Sequence, residues 1–470
     1  MEFIDREREQ RRLEEALSSD APAFIVLYGR RRLGKSTLVR KVLNTKDVYF
    51  EASQSEATTQ ISMLSKAVAM VYEGFDGPIY PSWEEIILAF NHRCENNATL
   101  VLDEFPYMVS EDSSLPSTLQ RIVDRRVIGG DGLRCNIVIC GSSQRMMQSL
   151  IQGSEPLYGR ADEEFCLKPI RLPHWSKAMA MDAKNIIEEY SVWGGVPQYW
   201  TQREKYGSFE EALNGLVLNE HGLLYNEPSR LFMDDASDIA PYSSIMTTIG
   251  SGRHRYSDIA STVGKSTADL SKPIKNLKEM AFIRKEVPFG ESEKKTKKTL
   301  YYIDDPFMAF YYKFVEPYKS TIAMGRTNIV KRMLEQSFYD HVGGIWERIC
   351  QIAVSGNDIS GHTWKVAGRW WGKVPVYEEG KKTPVGYEDL EFDVVAEDQN
   401  DSDTILVGEC KWTGADYADR LLDKLKKKVS MAPFVKGKKV VYALFLREQP
   451  LSAADCVILF PEDVIQQLPE

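Results

Sequence analysis

Two groups of residues in this chain have the types and spacing to do chemistry. The first is Gly29-Arg30-Arg31-Arg32-Leu33-Gly34-Lys35-Ser36, followed by Thr37. It reads G-x-x-x-x-G-K-S. An apolar run, Phe24-Ile25-Val26-Leu27, precedes it, and a helical pattern over 36–42 follows it, which is the strand–loop–helix setting such a loop requires. Gly29 and Gly34 open backbone angles closed to other residues and let amides approach phosphate oxygens. A helix starting near Lys35 points its positive dipole end at the anion. Lys35 is spaced to reach the β- and γ-phosphates, and Ser36 to ligate Mg²⁺. The loop taken alone implies a nucleoside triphosphate, either ATP or GTP.

The second group is Asp393 with Glu409-x-Lys411. On a strand, residues i and i+2 share a face, so Glu409 and Lys411 point the same way. Asp393, in the adjacent strand Glu391-Phe392-Asp393-Val394-Val395-Ala396, can join them. Two carboxylates hold a divalent ion that polarises a phosphodiester, and the lysine steadies water or developing charge. Glu347, on a helix predicted over 338–353, is a candidate fourth member. A solvated ion pair is the plainer alternative for Glu409 and Lys411.

Other residues must serve the first group. Thr99-Leu100-Val101-Leu102-Asp103-Glu104 is a mostly apolar strand ending in two acids, and α/β sheets bind ligands at such ends. Asp103 is then the Mg²⁺ partner, directly or through water, and Glu104 the candidate base that orients water; taken alone, the run could equally be a strand end with solvated acids. The strand beginning at Asn136 ends in Cys140-Gly141-Ser142-Ser143. Ser142 or Ser143 is placed to contact the γ-phosphate or attacking water, or to cap the next helix, and one residue can do both. Arg160, in Pro156-Leu157-Tyr158-Gly159-Arg160, either acts on the γ-phosphate in cis or in trans or forms a surface ion pair.

The elements around these groups follow from periodicity and punctuation. A lead-in helix is predicted over 4–17, with Asp5 as N-cap. A second strand covers 48–52, and helices follow over 60–71 and 83–93. Residues 185–218 are helical, broken by Gly194-Gly195-Val196-Pro197 into a corner whose neighbours Trp193, Tyr199 and Trp200 suit packing better than nucleotide contact. Helices over 243–249, 255–263 and 266–280, then strands over 282–287 and 299–303, give a winged-helix layout. Its Lys272, Lys275, Lys278, Lys294, Lys295, Lys297 and Lys298 suit phosphate contacts, or else form a solvated face on a domain that packs against protein. An aromatic helix over 305–318 reads as core and linker. Strand material around 364–371, strands over 404–412, 439–445 and 456–460, and a helix over 419–428 complete the tail.

The totals exclude several classes. The chain has 470 residues, enough for two to four domains, and 43% are hydrophobic, enough for sizeable cores. A net charge of −9 gives no whole-protein nucleic-acid signal, though a local basic patch can still bind one. The seven cysteines contain no C-x-x-C, and with six histidines a zinc knuckle is not expected. Met1-Glu2-Phe3-Ile4-Asp5-Arg6-Glu7 is too charged for a signal peptide, and no apolar run approaches the ~18 residues of a membrane span. A cytoplasmic protein with no membrane association is expected.

Taken together, these residues resemble the archaeal-type ATPase family of the STAND/AAA+ lineage. The resemblance rests on Phe3-Ile4-Asp5-Arg6-Glu7, on the Arg-rich loop Tyr28-Gly29-Arg30-Arg31-Arg32-Leu33-Gly34-Lys35-Ser36, on Leu102-Asp103-Glu104-Phe105-Pro106-Tyr107, on Pro156-Leu157-Tyr158-Gly159-Arg160, and on Gly194-Gly195-Val196-Pro197-Gln198-Tyr199. The tail resembles the PD-(D/E)XK nuclease fold often fused to these ATPases. The Pro-Asp pair of that name is absent, since Phe392 precedes Asp393. The resemblance implies an α/β fold: a P-loop AAA+-like core over 1–170, a helical lid over 171–240, a winged helix with aromatic linker helix over 241–325, and a C-terminal α/β restriction-endonuclease-like domain over 326–470. It implies ATP and Mg²⁺ as cofactors, with Gly29 to Thr37, Asp103 and Ser142 around the nucleotide and Ser36 and Asp103 at its metal. It implies Asp393, Glu409 and Lys411 as nuclease positions, with Glu347, Asp393 and Glu409 as the second metal set.

The expected function is an Mg²⁺-dependent ATPase coupled to a nuclease-like domain that binds or cleaves DNA or RNA. A homo-oligomer is a further expectation. The rival readings are a nucleotide-gated scaffold with an inert nuclease fold, and a toxin-like nuclease held off by the ATPase.

Overall fold

The computed structural model describes residues 4–125, 132–235, 238–376 and 383–469. Phe3, and the outermost residues of the expected domain boundaries, lie outside them. The chain divides into two compact units: Met1–Pro169 with Val196–Thr201 and Glu227–Ile239, and Ile170–Gly195 with Gln202–Asn226 and Ala240–Glu470.

The first unit is built on a parallel sheet of β1 (Phe24–Tyr28), β2 (Val48–Glu51), β3 (Thr99–Asp103), β4 (Asn136–Gly141) and β5 (Glu163–Cys166). Their spatial order is β2-β3-β4-β1-β5, and every pairing is parallel. β1, β3 and β4 are buried along their whole length, because the sheet is covered on both faces. The side-chain alternation is visible in β1: Phe24, Val26 and Tyr28 enter one core with Trp83 and Phe90, while Ile25 and Leu27 enter another with Leu38 and Val39. The order sets the carboxyl ends of β3, β4 and β1 side by side, at the point where the winding reverses.

The lead-in helix is Glu7–Leu17, three residues shorter at its start than the sequence pattern predicts, and Asp5 is not its N-cap. Asp5 and Arg6 both have positive φ, and the Asp5 carboxylate accepts from the Arg6 N–H at 2.7 Å, so it closes a turn ahead of the helix.

The second unit holds the helices Ala240–Gly250, Tyr256–Val263 and Thr267–Glu279, followed by the antiparallel pair β6 (Ile283–Glu286) and β7 (Leu300–Ile303). Of the lysines assigned to phosphates there, Lys298 pairs with Glu291 at 2.7 Å and Lys275 with Glu279 at 3.6 Å. The aromatic helix Pro306–Phe314 buries Phe307, Phe310, Tyr311, Tyr312 and Phe314, so it is core. A 28-residue helix, Thr327–Val354, comes next, starting well before the predicted 338. A two-residue ladder of β8 (Asp358–Ile359) and β9 (His362–Thr363) precedes a mixed sheet. That sheet runs β10 (Gly368–Val376), β11 (Gly386–Glu397), β12 (Thr404–Lys411), β13 (Lys439–Leu446) and β14 (Val457–Leu459) in sequence order. The first two pairings are antiparallel and the last two parallel. The helix Ala418–Met431 buries Leu421, Leu425 and Val429 in the same core as Phe392, Ile405 and Val407. Among the described residues, no helix is long and apolar enough to cross a membrane.

Candidate functional site

In the first unit the loop after β1 ends at Gly34, the left-handed N-cap (φ 87°) of the helix Lys35–Val42. Gly29 is fixed by close approach: a Cβ there would sit 2.6 Å from the Leu167 carbonyl oxygen, and no side-chain rotation could relieve that. Lys35 is buried and folds back, donating to the carbonyls of Gly29 at 2.7 Å and Arg30 at 3.2 Å. Burial pulls its ammonium below the usual lysine range, against the attraction of Glu104 and Asp103. Loop carbonyls thus occupy donors that phosphate oxygens would satisfy better. Leu33 is buried beneath the loop and Thr37 is exposed at the start of the helix.

The Ser36 hydroxyl donates to the Asp103 carboxylate at 2.8 Å, and the Tyr49 hydroxyl donates to the same oxygen. Two hard oxygen donors, from the helix and from the end of β3, therefore meet at one point, the donor chemistry that suits Mg²⁺. Glu104 adopts a left-handed conformation (φ 52°), sparsely populated for such a residue, before the helix Phe105–Glu111. That turn aims its carboxylate at β4, where the Ser142 hydroxyl donates to it at 2.9 and 2.8 Å and the Ser142 N–H at 3.2 Å. Ser142 is thus the residue that holds Glu104. Ser143 does the capping: its hydroxyl accepts from Met146 N–H at 3.1 Å and donates to Asp235 at 2.6 Å. Arg160 forms a two-pronged pair with Asp124, at 2.8 and 3.1 Å.

Motif reading missed the acids that meet the loop arginines. Arg31 Nε pairs with Asp234 at 3.0 Å, and another nitrogen of its guanidinium donates to the Tyr107 hydroxyl at 2.6 Å. Arg32, itself at positive φ, pairs with Glu227 at 3.0 Å. Glu227 is 1% exposed and also accepts from the Tyr199 hydroxyl at 3.0 Å. The segment Glu227–Ile239 is therefore tied to the loop through Arg31 and Arg32, and to the end of β4 through Asp235. Three consecutive arginines in a partly buried loop need counter-charges, and that was the available signal; nothing local said where in the chain they lie.

Asp234 gives a pH prediction. Burial pushes its carboxyl up to about 7; Arg31 opposes this, Glu104 and Asp235 add to it, and Lys35 opposes it. A value raised on folding means that its contribution to stability is full below the ordinary carboxylate range and is lost as pH rises through about 7. Phosphates held by Lys35 bring further negative charge and raise it again, so nucleotide binding takes up protons. ATP affinity should fall as pH rises from about 6 to about 8, by at most ~10-fold per unit for one proton. Asp234→Asn should flatten that profile in a fluorescent-nucleotide titration. A wild-type affinity independent of pH would refute the linkage.

In the second unit β11 and β12 pair with Val394 opposite Gly408, which sets Asp393 beside Glu409, and the Cys410 N–H donates to Asp393 Oδ2 at 2.8 Å. Glu409 accepts from Lys411 at 2.7 Å and, through its other oxygen, from Lys428 at 2.8 Å. Burial pushes the Glu409 carboxyl up, but the two lysines outweigh it and hold it below the usual range. Asp393 goes the other way: burial raises it and the Glu409 charge raises it further. Glu347, on the long helix, is pushed up to about 7 by burial and by Asp393. The helix is pinned there because Trp346 Nε1 donates to the Phe445 carbonyl at 3.2 Å, Trp346 packs on Trp412 at 5.1 Å, and Gln351 donates to the Asp393 carbonyl at 2.8 Å.

The structure thus brings Glu347, Asp393, Glu409 and Lys411 into one electrostatic neighbourhood and adds Lys428, which strand spacing could not reveal. Hard carboxylate oxygens are the right kind of ligand for a divalent cation, but Lys411 and Lys428 occupy both Glu409 oxygens, so the expected set of Glu347, Asp393 and Glu409 is not arranged to hold one. Among the described residues, no group of three or more His, Cys, Asp or Glu side chains is placed to hold a metal ion.

With this geometry in place, comparison with known proteins is informative. Residues 3–200 match a family described as an ATPase domain predominantly from Archaea. Residues 311–424 match a second family, archaeal and bacterial proteins of unknown function. A protein of Methanocaldococcus jannaschii, MJECL04, is 28% identical over 429 residues, covering 90% of each chain. A shorter match of 46 residues, 39% identical, links 10% of this chain to 78% of an ATP-binding protein of the same organism, MJ0423. Among solved structures, the Walker-type ATPase paby2304 of Pyrococcus abyssi is similar over 66% of this chain and 96% of its own, with 20% identity and a TM-score of 0.49. The Aeropyrum pernix ORC2 protein is similar over 69% and 97%, with 14% identity and a TM-score of 0.40.

Proposed function

We propose that this chain is an Mg²⁺-dependent ATPase whose nucleotide state governs a C-terminal nuclease-like module that acts on nucleic acid. The observation that carries the first half is the meeting of three adjacent strand ends: Lys35 and Ser36 after β1, Asp103 and Glu104 after β3, and Ser142 after β4. Lys35 and the loop amides hold the phosphates. Ser36 and Asp103 would hold the magnesium ion, which would supply positive charge to neutralise the phosphates. Glu104, oriented by Ser142, takes the proton of the attacking water. Arg160 acts on the γ-phosphate, in cis or in trans, leaving Asp124 to do so. All seven cysteines are free thiols, which supports a reducing, cytoplasmic setting.

The second half rests on Asp393, Glu409 and Lys411 on β11 and β12, with Glu347 beside them, in a restriction-endonuclease-like arrangement. Helix–helix–helix–hairpin over Ala240–Gly250 through β7 supports a winged helix that docks nucleic acid. One observation favours the rival reading of an inert fold: both oxygens of Glu409 are held by lysines.

Purified protein, ATP and Mg²⁺ test the first half by phosphate release, which Lys35→Ala should reduce at least ~100-fold. Plasmid, single-stranded DNA and RNA with Mg²⁺ or Mn²⁺ test the second. Cleavage lost in Lys411→Ala but kept in Lys35→Ala indicates an independent nuclease, and loss in both indicates coupling. No cleavage by wild type, with ATP turnover intact, leaves the nucleotide-gated scaffold.

A further inference from the structure

The second unit contains a cleft of about 920 Å³ that no motif anticipates. One wall is the long helix Thr327–Val354, through Asp340, Gly344, Arg348 and Ile352. These residues are spaced four apart, so they form one ridge ~18 Å long at the helical rise. The helix Pro306–Phe314 contributes Lys313, and β6, β7 and β10 contribute Arg284, Tyr302 and Arg369.

The charges in this cleft are unevenly matched. Arg284 is paired with Glu286 at 2.7 Å and with Asp304 at 3.3 Å. Arg369 is paired with Glu391 and donates to the Tyr302 hydroxyl at 2.6 Å. Arg348 has only a long contact to the Gln351 side chain, 3.4 Å, and Lys313 a ring contact with Phe314 at 5.3 Å. Neither has a carboxylate within ion-pair distance among the described residues, yet both are half-buried. Burial lowers the pKa of both; at Arg348 the Arg284 charge adds to it while Asp304 and Glu286 oppose it, and at Lys313 Asp340 opposes it. The carboxylates Asp340, Asp304 and Glu286 act on these two cations only from beyond contact, so each keeps donors that an anion in the cleft can meet directly.

A second observation is independent of charge. Gly344 lies inside a long helix, where glycine costs about 0.5–1 kcal/mol relative to alanine. A Cβ at Gly344 would meet nothing within 4 Å, so packing does not demand the glycine. Its effect is to bare the helix backbone to the cleft and widen it midway along the ridge. Apolar Ala309, Ile345 and Ile349 share the lining.

We propose that this cleft binds a single-stranded segment of nucleic acid, with Arg348 and Lys313 on its phosphates and the apolar lining against its bases. A volume in the range of small-molecule pockets admits a few unpaired nucleotides and excludes a duplex. Glu347 lines the same cleft, so a strand lying along the ridge passes that one carboxylate of the group. That the anion is nucleic acid rests on the nuclease-like reading above, whereas the anion site rests on the cleft alone.

The test is fluorescence anisotropy of short labelled single-stranded DNA and RNA with the full chain in EDTA. Gly344→Trp, which fills the cleft without altering charge, should weaken binding at least ~10-fold, with the melting midpoint reporting that the variant is folded. Arg348→Ala and Lys313→Ala should each lower the slope of log affinity against log salt by ~0.7, one phosphate contact on a single strand. Wild-type affinity and slope in all three variants, no binding by wild type, or displacement by polyglutamate as effective as by unlabelled strand would each overturn the inference. Cleavage is scored separately with Mg²⁺ or Mn²⁺. A strand bound through these residues and never cut upholds this inference and removes the nuclease reading. A strand cut equally by wild type and Gly344→Trp does the reverse.

Discussion

Glu104→Gln retains nucleotide and loses turnover, by about 10²- to 10⁴-fold, the usual worth of a positioned general base. The geometry makes the substitution clean. Glu104 owes its direction to a left-handed backbone (φ 52°) and to three hydrogen bonds from Ser142. A glutamine keeps the backbone, the length and one carbonyl oxygen for Ser142, but it cannot accept a proton. Lys35, Ser36 and Asp103 are untouched, so labelled ATP should bind at least as tightly as to wild type. Ser142→Ala separates positioning from chemistry: the carboxylate remains but loses the hydroxyl and keeps only the backbone N–H, and turnover should fall by about one order of magnitude rather than several. The measurements are single-turnover phosphate release and equilibrium nucleotide binding on the same samples. Wild-type turnover in Glu104→Gln would sink the assignment of the base.

The residues legible in the sequence are those whose constraints are local. A phosphate loop needs its glycines, lysine and serine within a few positions, and β3 announces itself by four mostly apolar residues and two acids. Gly194, at φ 60°, breaks the helical run where Gly-Gly-x-Pro predicts a corner. The loop's own anchors are not local. Glu227, Asp234 and Asp235 reach Arg32, Arg31 and Ser143 from far along the chain, and no periodicity links such positions. Lys428 is illegible for a similar reason: it sits among Lys424, Lys426 and Lys427 on one helix, and only packing of Leu421, Leu425 and Val429 selects which lysine turns toward Glu409. The long helix was underestimated because its first part buries little beyond Val330, leaving no apolar stripe to count. The Asp5 turn was misjudged because an acid ahead of a helix predicts a cap, while φ and the bond to its own neighbour are set by the fold.

The same charge accounting yields the largest expected effect in the C-terminal module. Lys411→Ala should abolish metal-dependent cleavage, by at least ~100-fold, while Lys428→Ala should cost much less. Both lysines hold Glu409, at 2.7 and 2.8 Å, and both oppose the rise at Asp393, but only Lys411 shares a strand face with Glu409. Burial works against the Lys411 ammonium, yet Glu409 and Asp393 pull its pKa above the usual lysine range, so it stays charged and cannot serve as the base. In the proposed nuclease its task would be to hold water or steady developing negative charge. Lys428 is instead the ligand that a divalent ion can displace, since it approaches from the helix Ala418–Met431 and not from the sheet. Lys428→Ala should therefore bind Mn²⁺ more tightly than wild type, a gain that a merely structural lysine would not give. Stability separates the two roles from folding: each single lysine variant leaves Glu409 one partner, whereas Glu409→Ala strands both ammonium groups and should cost about 1–2 kcal/mol, moderated because both lysines reach solvent. Calorimetric Mn²⁺ titration, cleavage rate and urea midpoint on the three variants read these effects independently. Equal loss of cleavage in Lys411→Ala and Lys428→Ala, with unchanged Mn²⁺ affinity in both, would mean that the lysines form a single counter-charge for Glu409 and that the fold at this site is structural.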